Sequence, residues 1–499
     1  MPFPIEWNKF WELFKYVPHD PLLFGSSMFI FFFIAVLIVY RFFSGNTSLR
    51  IYSLIIFSLF FYYKAAGVYL LLLVLIAVVN FYSGAWIYNA KDQLHKRLIL
   101  TATIIINLGL LGYFKYTNFF LEILNDLKAG QFDMLDIFLP IGISFYTFKA
   151  MSYLIEIYFE MLEPIKSLRN FSLFVFFFPN VLMGPIDRAV NFLPQIEQKP
   201  IFTKEKIGLA VFLLCTGLFK KYVIADYISL NFTDRVFEFP LRFTGVENLF
   251  AVYGFALQGY ADFSGYTDMA LAIGLLLGFE LMDNFNRPFK AHSVAEYWRR
   301  WHLSLSTWLL DYLFRPLQIS LRNMKKAGTA LAIFITFFVV GIWHGPSFTF
   351  ILFGILHSTY LVFSMYTQPL RDAFYNKLGI KNAPWLKVLQ IIFTFHLLAF
   401  TALLFRAPSL EFAGDMLSQI FTYFHAEVFP QYVSAYPSIV LLILIGYVSH
   451  FLPEAWEKKT VAVLTKTPLL IQAVILAIMI WLVWQVRSAE MQPFMYFKF

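Results

Sequence analysis

Apolar runs long enough to cross a lipid bilayer recur along this chain from near its start to near its end, and they constrain its fold more than any other feature. A hydrocarbon core of about 30 Å takes roughly 20 helical residues per crossing. Candidate spans fall at 22–43, 50–64, 67–88, 98–114, 138–159, 168–184, 207–225, 247–263, 267–281, 328–343, 347–366, 387–405, 436–452 and 467–486. The residues are 59% apolar, 20% aromatic and only 14% charged, against about 25% charged in a soluble domain. That balance excludes a water-soluble fold. Backbone polar groups in lipid must pair internally, so spans are helices or a closed barrel, and the runs are too long and unbroken for the alternation of barrel strands. The expected fold is an all-α, polytopic helical bundle. Several runs are short enough to be re-entrant, which gives about 10 to 13 true crossings.

The longest polar stretches, about 20 to 40 residues, are too small to pack as a domain, and no repeat of fixed period is present. Residues 1–499 are therefore expected to form one membrane domain. Glu6, Trp7, Trp11 and Glu12 precede the first apolar run without a cleavage pattern, so the first span is expected to stay attached.

The formal charge of +8 does not imply a nucleic-acid partner, because the cations lie in loops between apolar runs, where topology accounts for them. Basic clusters at Lys91–Arg97, Lys458–Lys466 and within Asn284–Lys326 are expected to face the cytoplasm. In the last of these, Trp298, Trp301, Leu305, Trp308 and Tyr312 recur at steps of three and four, the pattern of one amphipathic interfacial helix of about 15 to 20 residues. Cys215 is the sole cysteine. It excludes an intramolecular disulfide and reads as a small buried side chain without chemistry.

An ionisable group at the bilayer centre costs about 2.5–3.5 kcal/mol on insertion scales, so each one there has a reason. Tyr260-Ala261-Asp262-Phe263-Ser264-Gly265-Tyr266-Thr267-Asp268 places two carboxylates between apolar stretches. It reads either as a broken helix facing a cavity or as a short loop with solvated carboxylates. His344 lies at the end of a long apolar run and is followed by Gly345-Pro346. A residue before proline disfavours helix, so the helix should stop at the histidine, and a break at membrane depth should face protein or a cavity. Neutral imidazole can take a proton from a hydroxyl at neutral pH. The alternative is a histidine that bonds neighbouring helices. His302, after Trp298-Arg299-Arg300-Trp301, looks structural by itself. The other histidines, His19, His95, His292, His357, His396, His425 and His450, have no metal-ligand spacing, so no metal is expected.

Several segments together carry a resemblance: Leu139-Pro140-Ile141-Gly142-Ile143-Ser144-Phe145-Tyr146-Thr147-Phe148, Phe178-Pro179 with Gly184-Pro185, Gly217-Leu218-Phe219-Lys220-Lys221, and Asp262 to Asp268. Tyr297-Trp298-Arg299-Arg300-Trp301-His302-Leu303-Ser304-Leu305-Ser306, Gly341-Ile342-Trp343-His344-Gly345 and Pro493-Phe494-Met495-Tyr496-Phe497 complete the set. In this order and spacing the chain resembles bacterial membrane-bound O-acyltransferases of the alginate O-acetylation type over nearly its whole length, with a family-like core at about 100–366 and C-terminal helices at 387–499. The resemblance implies a helical core with a tunnel, in which a cytoplasmic acyl donor meets an extracytoplasmic acceptor. It implies His344 as the essential histidine and His302 as the second. It departs where relatives commonly read Tyr-Ile-Pro-Leu-Gly-Gly and this chain has Phe314-Arg315-Pro316-Leu317-Gln318-Ile319, which touches the donor-side surface or partner docking and neither histidine.

The mechanism so implied is direct transfer, with His344 as general base, His302 orienting, and no covalent acyl-enzyme. The donor is a thioester such as acetyl-CoA, a co-substrate and not a resident cofactor. Asp262, Asp268, Arg299, Arg300, Trp301 and Trp343 are the substrate-side and donor-side candidates. The two arginines suit a phosphate-bearing donor and serve equally as interfacial cations that set topology. The acceptor is a cell-surface or exported polysaccharide, reached directly or through a separate extracytoplasmic acetyltransferase, and the expected location is the bacterial inner membrane. D-alanyl transfer to teichoic acid from a carrier protein is the rival within the family. A polysaccharide or lipid-linked sugar flippase is the rival outside it, against which stand the absence of an inverted repeat and the few intramembrane carboxylates.

Overall fold

The computed structural model describes residues 11–18, 21–128, 130–486 and 494–495. Glu6, Trp7, His19, Pro493, Tyr496 and Phe497 lie outside the described residues. Among those described there are helices and one isolated bridge, Phe285 to Trp301, and no strand. The chain is all-α, as its apolar runs dictate.

Among the described residues, seven helical stretches are long and apolar enough to cross a membrane: Thr47–Asn89, Gln93–Asp126, Lys204–Glu238, Arg322–His344, Phe348–Lys377, Pro384–Arg406 and Leu469–Val486. The bent pair Ala426–Ala435 and Pro437–Phe451, at 97°, makes an eighth if it is one span. Only 17% of the apolar window in Gln93–Asp126, and 11% in Leu469–Val486, is buried inside the protein. Apolar surface left open on that scale is compatible with lipid and not with water.

The number is below the 10 to 13 expected, for identifiable reasons. Run 22–43 forms a helix of 16 residues, Ser27–Phe42, and run 138–159 another of 16, Ile143–Tyr158, which begins after Gly142 in the left-handed region. Run 168–184 is two short helices, Leu168–Phe176 and Phe178–Val181, interrupted before Pro179. Runs 247–263 and 267–281 are one helix, Gly245–Leu276. Thr47–Asn89, in contrast, holds two expected spans. Straight, its 43 residues would extend about 65 Å, twice a bilayer core. Gly67, at φ 58°, breaks it into two helices of 20 residues, Thr47–Ala66 and Leu70–Asn89.

The chain divides into two compact units, Met1–Ala210 with Met269–Met282, and Val211–Asp268 with Asp283–Phe499. In the first, phenylalanines 24, 29, 61 and 178 form a mutually packed ring cluster. Asn80 and Asn107 exchange amide hydrogen bonds at 3.0 and 2.9 Å, tying Leu70–Asn89 to Gln93–Asp126. Buried Lys149 donates to the Phe174 carbonyl and to Asn180, whose amide reaches Asp187. Each buried polar group named here has a partner, as a low-dielectric interior requires.

In the second unit, which the chain enters at Val211, the helix widens into π-helical turns at Phe219–Asp226 and Ser229–Thr233. It meets Gly245–Leu276 where Gly265 faces the backbone of Gly217 and Lys221; a Cβ at 265 would stand 2.8 Å from the Gly217 oxygen. That approach lets Lys220 reach Asp268 at 2.8 Å and Lys221 reach Asp262 at 2.5 Å. With its carboxylates met by lysines, the 260–268 segment has no cause to break: neither the break nor the loop expected there is present, although Asp262 does face a cavity. Cys215, read as buried, is half-buried.

Lys325–His344 and Phe348–Lys377 form a helical hairpin. A Cβ at Gly341 would collide with the Phe350 carbonyl, and one at Gly354 with the Phe337 carbonyl. Small residues at such crossings let backbones touch. Gly354→Val therefore forces the hairpin apart, at a cost of about 1–3 kcal/mol. The expected result is a lowered melting temperature in detergent and a loss of turnover through displacement of His344; unaltered melting would show that the crossing tolerates a side chain.

Candidate functional site

The Lys325–His344 helix ends at His344, followed by an extended Gly345. A Cβ at Gly345 would collide with the Phe350 ring. Ser347 restarts the chain by capping Phe348–Lys377, its hydroxyl accepting from Thr349 N at 3.3 Å. The expected helix stop and the cavity beside it are both present. His344 is 5% exposed and lies on the wall of a cavity of about 60 Å³, together with Tyr297, Trp298, Trp301, Phe353 and His357. Its ring meets Phe405 at 4.7 Å and Trp343 at 4.9 Å.

The aromatic segment is not one interfacial helix. Val294–Trp298 ends, His302 takes the left-handed conformation at φ 45°, and Leu303–Leu309 begins anew. Between them the backbone pairs with the 284–286 stretch: Asn286 N donates to Arg300 O and Leu303 N to Asn284 O, both at 2.9 Å. These bonds replace the helical ones and turn the indoles inward. Trp298 Nε1 donates to His357 Nδ1 at 3.2 Å, and Trp301 stacks on Tyr297.

His302 is fully buried and lines neither cavity described here. Asn284 Oδ1 accepts from Ser304 N, from the Ser304 hydroxyl at 2.6 Å and from His302 Nδ1 at 3.2 Å. The backbone donor fixes that atom as the oxygen, so His302 carries its proton on Nδ1. Its ring packs on Phe263 at 4.7 Å and on Trp343 at 6.1 Å. Trp343 thus touches both candidate histidines. Burial pushes His302 down to about 3, so the ring is uncharged at neutral pH. An unfolded chain protonates it near 6.5. Between those values the unfolded state binds the extra proton, so stability falls as pH drops below about 6.5, by about 1.4 kcal/mol per unit. His302→Gln, which cannot titrate, should lose less melting temperature between pH 7.5 and 5.5 than the unaltered protein. An identical loss would remove His302 from the acid response.

A second cavity, of about 260 Å³, is lined by Lys221, Asp226, Ser229, Asp234, Gln258, Asp262, Ser347, Thr349 and Arg406. Phe255, Phe405 and Met495 line both cavities. Asp262 belongs to the polar cavity and accepts from Met495 N at 2.9 Å. Asp268 is held by Lys220 and Thr216 and lines neither. Arg300 pairs with Glu296 at 2.7 Å, and Arg299 is exposed. The structure therefore brings His344 and Trp301 to one wall, with Trp343 behind them, and sets the two arginines apart from both cavities. Sequence reasoning assigned no role to His357, Asn284, Phe405 or Arg406. Only the position of His357 within an apolar run marked any of them. Among the described residues no group of three or more His, Cys, Asp or Glu side chains is placed to hold a metal ion.

Residues 160–405 match the model of the membrane-bound O-acyltransferase family. The chain is 34% identical to a probable alginate O-acetylase of Pseudomonas aeruginosa over 81% of its own length and 75% of that protein. It is 33% identical to a peptidoglycan O-acetyltransferase of Helicobacter pylori over 79% of each, and 29% identical to a teichoic acid D-alanyltransferase of Bacillus subtilis over 52% of this chain and 67% of that one. With a multi-pass helical fold, a histidine at the broken end of an apolar helix and relatives this similar over most of its length, the chain is an acyltransferase that belongs to the membrane-bound O-acyltransferase family.

Proposed function

We propose that this enzyme moves acetyl groups from acetyl-CoA, presented at the cytoplasmic face of a bacterial inner membrane, to hydroxyls of a cell-surface or exported glycan, directly or through an extracytoplasmic acetyltransferase partner. One observation carries the reading. The His344 imidazole stands on the wall of an aromatic cavity, against the Phe405 ring that also bounds a polar cavity. An apolar chamber suits an acyl thioester and a polar one suits a hydroxyl, and the base lines the first and packs on a ring that the two share.

In the transfer, His344 takes the hydroxyl proton as the oxygen attacks the thioester carbonyl. The new C–O bond forms, the C–S bond breaks, and the proton passes from His344 to the departing thiolate. No acyl-enzyme intervenes. Positioning of the two reactants supplies most of the acceleration. His302 is a positioning residue: fixed by Asn284, it backs Trp343, which backs His344. The names of the Pseudomonas and Helicobacter relatives favour acetyl as the acyl group.

The test supplies purified enzyme in vesicles with labelled acetyl-CoA or with a D-alanyl-charged carrier protein. Label from acetyl-CoA alone is expected. Use of the carrier alone would replace acetyl by D-alanyl, and glycan movement without any acyl donor would favour the flippase.

A further inference from the structure

We infer that His357 is a second catalytic group of this enzyme, an oxyanion donor whose Nε2–H binds the thioester carbonyl oxygen as that oxygen gains negative charge. The inference rests on the acyl-transfer reading above and adds the group that stabilises the transition state opposite the base.

Helix geometry brings the ring to the site. His357 lies in Phe348–Lys377, one turn beyond Phe353, and residues four apart share a helix face. It is 2% exposed and lines the same aromatic cavity as His344. The Phe353 ring touches both histidines, His357 at 4.4 Å and His344 at 5.7 Å. A general base and an oxyanion donor stand one hydrogen bond of about 2.9 Å to either side of the attacking oxygen and the reacting carbonyl. Two imidazoles against one phenyl ring fit that separation.

Its hydrogen bonding fixes which atom is left for a substrate. Trp298 Nε1–H can only donate, and it reaches His357 Nδ1 at 3.2 Å. Nδ1 therefore holds the lone pair, and the proton of the uncharged ring is on Nε2. Trp298 supplies the one hydrogen bond that His357 makes among the described residues, so Nε2–H is open to a ligand. Trp301, another N–H on the cavity wall, stacks on Tyr297 and meets Phe285, whereas His357 shares its phenyl neighbour with the base.

The surroundings make such a donor count. In a cavity of about 60 Å³ walled by rings, an acetyl group leaves little room for water, and a buried oxyanion without a donor is costly. A preorganised N–H in a low-dielectric site is worth more than the same group in water. As the hydroxyl oxygen attacks, the carbonyl π pair moves onto oxygen and is held by Nε2–H. The pair returns to carbon as the C–S bond breaks. The Nε2 proton stays in place throughout, and His344 alone carries a proton from hydroxyl to thiolate.

The experiment uses membrane vesicles from cells in which the full-length variant replaces the unaltered protein, so that the native acceptor is present. It follows consumption of labelled acetyl-CoA per copy of enzyme, above that of vesicles lacking the protein. His357→Leu, which fills the space without a donor, is expected to lower kcat about a hundred- to a thousandfold and to leave the acetyl-CoA KM within about threefold. His357→Gln, whose amide can accept from Trp298 and donate into the cavity, is expected to recover to within about tenfold of the unaltered kcat. Trp298→Phe lets the proton move between the two ring nitrogens and should lower kcat about three- to tenfold. A His357→Leu protein that melts normally in detergent and keeps its kcat overturns the inference. So does a His357→Gln protein as inactive as His357→Leu, the behaviour of a residue that transfers a proton. Should His357→Leu not accumulate, the other two decide, and Trp298→Phe with full kcat or His357→Gln without turnover overturns the inference. In all these cases the unaltered protein still consumes acetyl-CoA and the acyl-transfer reading stands. Vesicles of the unaltered protein that consume none sink both.

Discussion

His344→Gln is expected to lower kcat for acyl transfer by about a hundred- to ten-thousand-fold, the range over which a positioned general base contributes, with the donor KM little altered. Glutamine keeps much of the volume that packs on Phe405 and Trp343 and offers hydrogen bonds, yet it cannot take a proton. A loss confined to kcat identifies an interaction made in the transition state alone. His344→Ala should lose at least as much activity, but it also leaves a void among Trp343, Phe353 and Phe405, and such voids destabilise by amounts that depend on how far the site collapses. Comparing the two by thermal melting and by labelled acetyl transfer separates chemistry from packing. Turnover retained in His344→Gln would move the base to another group, with His357 on the same cavity wall the first to test.

The sequence made some of this arrangement legible and concealed the rest, for physical reasons. The helix stop at His344 was readable because glycine and proline act locally: Gly345-Pro346 ends a helix whatever surrounds it. The break at His302 was not. The aromatic spacing from Trp298 to Tyr312 is helical throughout, and the left-handed turn exists because Asn284, eighteen residues earlier, presents both backbone and side chain to it. The opposite error occurred at Asp262 and Asp268, where two carboxylates looked expensive enough to break a helix. Their lysines come from a different helix, brought into reach by the absence of a side chain at Gly265. Local rules decide where helices stop, whereas partners distant in sequence decide whether a buried charge is tolerated.

That dependence sets the second large effect. Lys221, whose side chain is 1% exposed, lies between Asp226 at 2.8 Å and Asp262 at 2.5 Å, and its ammonium sits 4.3 Å from the centre of the Phe494 ring. Lys221→Met removes the only positive charge in that triad and leaves two carboxylates facing each other in a low-dielectric interior. Breaking a buried pair from one side costs about 3–5 kcal/mol, a large part of the roughly 5–15 kcal/mol that holds a domain folded. The expected result is a protein that accumulates poorly in the membrane and melts early in detergent. Lys220→Met should be milder, because Lys220 is 27% exposed and water can reach the vacated position. The decisive comparison is the double variant Lys221→Met with Asp262→Asn: neutralising one carboxylate removes much of the uncompensated charge, so abundance and melting temperature should recover part of the way toward the unaltered protein. A Lys221→Met protein with normal abundance and melting, or a double variant worse than the single, would mean that the triad contributes little to the fold. The wall of the polar cavity would then owe its geometry to helix packing at Gly265 alone.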